Sequence, residues 1–562
     1  MPEQKRYLEW ACSAHRSVSE VLVLVLVPML RSLRRGAVIL TSMNYRTASC
    51  VASCVGLLLA AASAWGQPAP RVATALGVVS GVSDGGVAAF KSLPYAAPPV
   101  GALRWRPPQP PAAWDGVRAG DRPGPACWQV RGPSLEGGGD VGPPSEDCLT
   151  LNVWVPEGQG AGPAAAPRPV MVWLHGGALA LGAGGLPIYD GAALARRGVV
   201  VVTVNYRLGP LGYFVHPALE LEAAANTRAL APANFGLLDQ IAALRWVREH
   251  IGAFGGDAQR VTVFGQSAGA QSVLALMASP LSRGLFQRAV AQSPYGIPSH
   301  SREQARATGV RIASALGLDG AQADADALRA LPAERFVGLK GAGLSLAPSL
   351  VVGDAALPRP LLATFQARQQ ARVPLVIGSN SDDGSVALAF GLKPEQIVQK
   401  LGAARILLQP LYPGVKNPNE LARQVVRDVA FTAFARRIAV LQSAVAPTWR
   451  YHFSHTARGS TQPGAAHGGE VPYPFGTLDL CACLSPSPSP AERAVSARML
   501  ERWTAFALGG GPDVVGQPAW PQDDRRAQAL LEIGNEDSIR QPYQPRRLNT
   551  LILGLKVLDP AR

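Results

Sequence analysis

The sequence predicts an α/β fold built on a mostly parallel sheet with helices on both faces. Three runs carry that expectation: PVMVWLHGG (169–177), RGVVVVTVNYRLG (197–209) and RVTVFG (260–265) are apolar without alternation, the pattern of strands buried on both sides. Between the second and third lies FGLLDQIAALRWVREHIGAFGG (235–256). There Leu237, Ile241, Leu244, Trp246 and Val247 recur at helix-compatible spacing, with Ile251 nearby and Gly252 near the end. Strands alternating with helices are what such a sheet requires.

The remaining elements follow in order. LTLNVWVP (149–156) alternates like a strand, and EGQGAGPAAAPRP (157–169) is a flexible connection. FQRAVAQS (286–293), RVPLVIGSN (372–380) and TWRYHFSHT (448–456) are further strands. Residues 300–350 and 392–445 read mainly helical. LSPSPSPAE (484–492) is a surface loop, and a helix from Ala494 to Leu508 ends at GGGP. There is no internal repeat.

Composition narrows the function classes. With 562 residues, 48% hydrophobic and only 16% charged, the chain buries a large core and is not disordered. The net charge of +14 invites nucleic acid as a partner. Its Lys and Arg residues are scattered, without a basic run interleaved with aromatics or zinc-finger spacing, so no nucleic-acid partner is expected.

The first 66 residues differ from the rest. VLVLVLVPML (21–30) is too short to span a bilayer. From Met43, MNYR supplies a positive start and CVASCVGLLLAAASA an apolar segment; Ala64 and Gly66 are small residues ahead of a cut before Gln67. That is a secretory signal peptide pattern. Residues 1–42 are then an over-long start, 43–66 a signal peptide and 67–562 a single domain, secreted or periplasmic, with no stable membrane insertion after signal removal. The alternative is an N-terminal membrane anchor beginning at Val21.

Export changes how the cysteines read. Cys12, Cys50 and Cys54 precede the cut; Cys127, Cys148, Cys481 and Cys483 follow it. An even number in an oxidising compartment permits disulfides. Cys127 and Cys148 flank a Gly/Pro-rich segment, and closing a loop of roughly 20 residues is worth about 3 kcal/mol. Cys481 and Cys483 are two apart, so free thiols and an unusual bridge both remain open. No metal site is indicated, because His452 and His455 lack a matching cysteine or carboxylate cluster.

Ser267 carries the chemistry. In VTVFGQSAGAQSV (261–273) it follows a strand, precedes a helical stretch and is flanked by Gly265, Ala268 and Gly269. A sharp strand-to-helix elbow needs small neighbours and presents the serine hydroxyl together with new helix N–H groups. His175-Gly176-Gly177-Ala178 also follows a strand. N–H groups of Gly177 and Ala178, with that of Ala268, are candidate oxyanion donors, each worth about 3 kcal/mol in the transition state; His175 holds the loop. Downstream histidines are His300, His452, His455 and His467. The pair in the strand suits the core or rim, whereas His467, in the glycine-rich GAAHGGEVPYPFG, is the candidate base. GSNSDDG (378–384) offers Asp382 and Asp383 as the acid, and the pattern does not separate them.

Together these residues resemble the type-B carboxylesterase family, which includes the cholinesterases. The likeness rests on SEDCLTLNVWVP, VMVWLHGGA, VVVTVNYRLGPLGYF, ANFGLLDQIAALRWVREHIGAFGGDAQRVTVFGQSAGA, GSNSDDG and HGGEVPYPFG, and extends over essentially all of residues 72–530. The resemblance implies an α/β-hydrolase fold with helical insertions forming a gorge, a small-molecule ester substrate and no cofactor. It places the nucleophile on Ser267, the base on His467, the acid on Asp383 in preference to Asp382, and the oxyanion donors on Gly177, Ala178 and Ala268. It also implies a Cys127–Cys148 disulfide.

Three departures from the family stand out. The acid is aspartate where the family has glutamate. Leu179 occupies a position that is commonly aromatic, implying a wider mouth near the acyl site. Gln266 replaces a glutamate, removing an anion near the histidine. No aromatic cage for a quaternary ammonium is evident, Trp128 beside Cys127 being a poor candidate, so short to medium acyl esters are the expected substrates. Amide, carbamate or lactone cleavage, and a non-catalytic binding role, are the alternatives.

Overall fold

A computed structural model describes residues 69–562 apart from 132–138, 158–165, 228–229, 298, 340–347, 390–392, 482–486, 525–527 and 559–562. The expected leader at 1–66 lies outside these residues. Its strands, in chain order, are β1 (Arg71–Thr74), β2 (Gly77–Ser80), β3 (Val82–Asp84), β4 (Val87–Pro94), β5 (Val117–Ala119), β6 (Thr150–Pro156), β7 (Arg168–Leu174), β8 (Val200–Val204), β9 (Gly256–Gln266), β10 (Arg288–Gln292), β11 (Leu375–Asn380), β12 (Thr448–Phe453), β13 (Leu530–Ile533) and β14 (Asp537–Arg540).

Eleven of them form one sheet, in the order β14-β13-β12-β11-β10-β9-β7-β8-β6-β4-β3. The stretch from β8 to β13 is parallel throughout; antiparallel pairs occur toward the two edges. A small sheet of β1, β2 and β5 stands apart. The continuous apolar runs have a direct cause. Val170, Val172 and Leu174 of β7 join the core on one face, with Leu237, Ile241 and Leu244 of α1 (Phe235–His250). Met171 and Trp173 join the other, with Trp503 and Phe506 of a helix at Pro490–Leu508. Both sets of alternate side chains are covered, so neither can be polar.

Several expectations shift. β6 is nearly all buried, so its apparent alternation does not mark a solvent face. The Pro490–Leu508 helix starts four residues before Ala494: Ser489 and Glu492 form a capping box, which draws the end of LSPSPSPAE into the helix. Cys127 and Cys148 are bonded to each other. Cys481 is also disulfide-bonded, which removes the free-thiol alternative for it; its partner lies outside the described residues. Among the described residues no helix is long and apolar enough to cross a membrane.

A buried ion pair fixes the loop after β8 to α1. Arg207 grips Asp239 through Nε (2.8 Å) and Nη2 (2.7 Å), and both side chains are nearly inaccessible. The bidentate geometry offsets part of the desolvation cost of burying both charges.

Candidate active site

Ser267 sits between β9 and α2 (Ala268–Ala278), with φ 55° and ψ −120°. This left-handed backbone is costly for a residue with a side chain and persists only where its surroundings enforce it. The enforcement is steric. A Cβ on Gly265 would lie 2.7 Å from the Leu174 carbonyl oxygen, and one on Gly269 would overlap that same oxygen. The Ser267 N–H donates to the Gln292 carbonyl (2.9 Å), tying the turn to β10.

His467 Nε2 lies 2.8 Å from Ser267 Oγ, and His467 Nδ1 lies 2.7 Å from Asp383 Oδ1. The second oxygen of Asp383 accepts from the Asn380 N–H (2.7 Å) and from Ser293 Oγ (3.0 Å). Asp383 is fully buried, and these donors compensate for its lost hydration. The loop carrying His467 is fastened to the loop carrying Asp383. Its N–H donates to Ser385 Oγ (3.0 Å), and the Asp382 N–H donates to the Ala465 carbonyl (2.8 Å). The Phe431 ring packs against the imidazole with centroids 5.0 Å apart.

Asp382 takes a different direction, facing Arg423 at 3.4 Å. Burial pushes its carboxyl up to about 6 although Arg423 pulls it down. The two adjacent aspartates are thus separated by the tight turn that begins at Asp383.

The loop after β7 holds Gly177 (φ 99°), Ala178 (φ 57°) and Leu179 (φ 59°) in succession in the left-handed region. Among the described residues, no protein acceptor engages the N–H groups of Gly177, Ala178 or Ala268. Gly177 and Ala268 are buried and Ala178 partly so, and buried N–H groups are seldom left without an acceptor. His175 is fully buried, stacks on Tyr206 at 4.3 Å, and places Nδ1 2.8 Å from the Gly176 carbonyl. Burial lowers its pKa to about 4, so it is a neutral brace for the loop. His452 is likewise buried and lowered to about 4, by burial and then by Arg427. His455 lies with Nδ1 2.8 Å from Asn535 Oδ1. Neither of these two histidines contacts Ser267.

Two features escaped the sequence. Ser293 and Asn380 support the acid, yet nothing in their local pattern distinguishes them from other strand-end polar residues. Glu470 is completely buried three residues after His467, accepting from Asn380 Nδ2 (2.5 Å) and Gln292 Nε2 (3.3 Å). Burial first, and then the Asp383 charge, raise its carboxyl to about 7. Its signal was a lone acid in an otherwise uncharged loop. Gln266, fully buried, places Nε2 3.4 Å from His467 Nε2.

Comparison with known proteins gives this geometry a family. Residues 68–410 and 412–551 match the model described as the carboxylesterase family. The chain is 35% identical over 482 residues to the fumonisin B1 esterase of Sphingopyxis macrogoltabida, covering 81% of this chain and 85% of the relative. It is 36% identical over 507 residues to the para-nitrobenzyl esterase of Bacillus subtilis, covering 85% and 99%. A solved para-nitrobenzyl esterase superimposes with a TM-score of 0.72 at 33% identity, over 86% of this chain and 100% of that one. A carboxylesterase of Geobacillus stearothermophilus does so at 0.73 and 31%, over 86% and 99%. The chain belongs to the carboxylesterase family, with the α/β-hydrolase fold, and is a carboxylic ester hydrolase.

Proposed function

We propose that Ser267, His467 and Asp383 are the catalytic triad and that the enzyme works through an acyl-enzyme. The observation that carries this is the continuous chain of contacts, 2.8 Å and 2.7 Å, from hydroxyl through imidazole to buried carboxylate. His467 Nε2 takes the Ser267 proton as Oγ attacks the ester carbonyl. The oxygen of the tetrahedral intermediate is received by the N–H groups of Gly177, Ala178 and Ala268. His467 then protonates the departing alcohol. Water, activated by the same imidazole, releases the acid and restores Ser267. Asp383 holds the ring and stabilises its charged form without itself taking a proton.

In this reading the acyl group enters a cavity of about 540 Å³ whose walls include Gln271, Leu361, Leu362, Val429 and Phe434, with Arg302 and Arg437. Gln271 lies one helical turn from Ser267, its N–H donating to the Ser267 carbonyl (2.9 Å). A largely apolar space of that size accepts short to medium acyl chains. Export by a signal peptide from Met43, cleaved between Gly66 and Gln67 to leave a single catalytic domain at 67–562, is supported by the leader pattern and by the Cys127–Cys148 bond. N-terminal sequencing of exported protein tests it.

The test of the catalytic assignment is a panel of 4-nitrophenyl esters of increasing acyl length, with an organophosphate as covalent probe. Hydrolysis of the short and medium esters, and a single adduct on Ser267, are expected. An adduct on another residue overturns the assignment; a preference for long acyl chains overturns the substrate range.

A further inference from the structure

At the opposite end of the central strands from Ser267 lies an open groove of about 670 Å³ whose walls carry Arg283, Arg359, Arg368 and Arg372, together with Ala278 and Gln369. Its placement follows from the topology. Ser267 stands at the C-terminal end of β9, whereas Arg372 enters β11 from its N-terminal side and Arg283 precedes β10. Strands β9, β10 and β11 are parallel, so the groove and the nucleophile lie at opposite ends of them. Helix α2 runs from one to the other, starting beside Ser267 and ending at Ala278 in the groove wall. Its 11 residues span roughly 16 Å at 1.5 Å each.

Arg359, Arg368 and Arg372 come from one short stretch of the chain and Arg283 from another, and all four line the same groove. Arg283 donates through Nη2 to the Gln369 carbonyl, and Arg359 donates through Nη1 to Gln369 Oε1 (3.0 Å). All four arginines are exposed, and none has an ion-pair partner among the described residues. The segments that supply them, 258–302 and 355–380, contain no Asp or Glu. The C-terminal end of α2 contributes about half a negative charge, far less than four guanidinium charges. Arg368 has a φ of 56°, left-handed backbone where glycine is the unstrained choice, so its replacement by glycine removes the guanidinium without straining the turn.

We propose that this groove binds a phosphate-bearing ligand. Planar guanidinium forks match the paired oxygens of phosphate, and four such forks along one groove favour a ligand with more than one phosphate charge. The same chemistry exists in a soluble phosphate compound and in an anionic lipid headgroup. The site lies apart from the ester-cleaving centre and does not depend on the triad assignment.

The test uses the full-length protein and two probes: tripolyphosphate by titration calorimetry at low salt, and phosphatidylcholine vesicles with and without phosphatidylglycerol by co-sedimentation. The variant R368G/R372Q should weaken binding of at least one probe by about tenfold or more, while R368G alone leaves the melting temperature unchanged or raised. Hydrolysis of a 4-nitrophenyl ester by R368G/R372Q should match the parent, showing that it folds; the pair R283Q/R359Q gives a second reading of the same loss. A control pair away from the groove, R311Q/R405Q, removes equal charge and should bind as the parent does. Groove-dependent binding of tripolyphosphate alone identifies a soluble phosphate ligand, and groove-dependent binding of phosphatidylglycerol vesicles identifies a headgroup. No binding of either probe, or an equal loss in the control pair, overturns the proposal.

Discussion

The side-chain amide of Gln266 lies 3.4 Å from His467 Nε2, the atom that also faces Ser267 Oγ at 2.8 Å. A neutral amide therefore stands where a carboxylate would place a full charge beside the imidazole. Gln266 Oε1 is buried and has no hydrogen-bond partner among the described residues. An added anion would favour the imidazolium, whereas the amide offers only a dipole.

Gln266→Glu is therefore expected to raise the kinetic pKa of His467. The acidic limb of kcat/KM against pH moves to higher pH, since the base must be neutral to accept the serine proton. An acidic limb that stays in place shows that Gln266 exerts no electrostatic control.

Asp383 and Asp382 should respond very differently to amidation. Asp383→Asn leaves His467 Nδ1 facing an amide and should lower kcat by about 10⁴, the loss seen when a triad acid is so changed. Asp382→Asn alters a group turned toward Arg423 and should leave kcat within a few-fold. Steady-state kinetics on both variants compare the two assignments directly.

Glu470 links the site to stability. Its folded pKa of about 7 stands above the ordinary glutamate value of 4.5, so the folded chain holds this proton more tightly than the unfolded chain. Stability from this group is present below pH 4.5 and is lost as pH rises through about 7; the full span is on the order of 3 kcal/mol. Glu470→Gln should flatten the decline in denaturant-measured stability across that window. An unchanged slope would show that Glu470 does not titrate there.

The glycines of the elbow make a steric prediction. Gly269→Ala drives a methyl group into the Leu174 carbonyl oxygen, and the packed β7–β9 junction has no room to yield. A loss of several kcal/mol is expected, measured as a lower urea midpoint. By contrast, Cys127→Ser opens the 21-residue crosslink and should cost about 3 kcal/mol without changing the pH profile of hydrolysis.

What the sequence made legible follows from the range of the physics involved. Ser267 was readable because an elbow is a local feature: small residues, a preceding strand and a following helix all lie within a few positions. His467 was readable because, of the histidines downstream of Ser267, it is the one in a glycine-rich loop after a strand. Asp383 was separated from Asp382 only by resemblance, since neighbouring carboxylates diverge according to a turn and to Arg423, which lies 40 residues along the sequence. The parallel centre of the sheet was legible from its apolar runs. Its edges were not: β3 is three exposed residues, and such a strand is defined by pairing with β4 rather than by composition. Ser293, Asn380 and Gln292 owe their roles to strand register, which no local pattern encodes.

The most direct test of the central claim is the pre-steady-state release of 4-nitrophenolate from a short-chain ester. The triad assignment predicts a burst approaching one equivalent per chain, abolished in Ser267→Ala together with turnover. A Ser267→Ala protein that keeps the burst would contradict it.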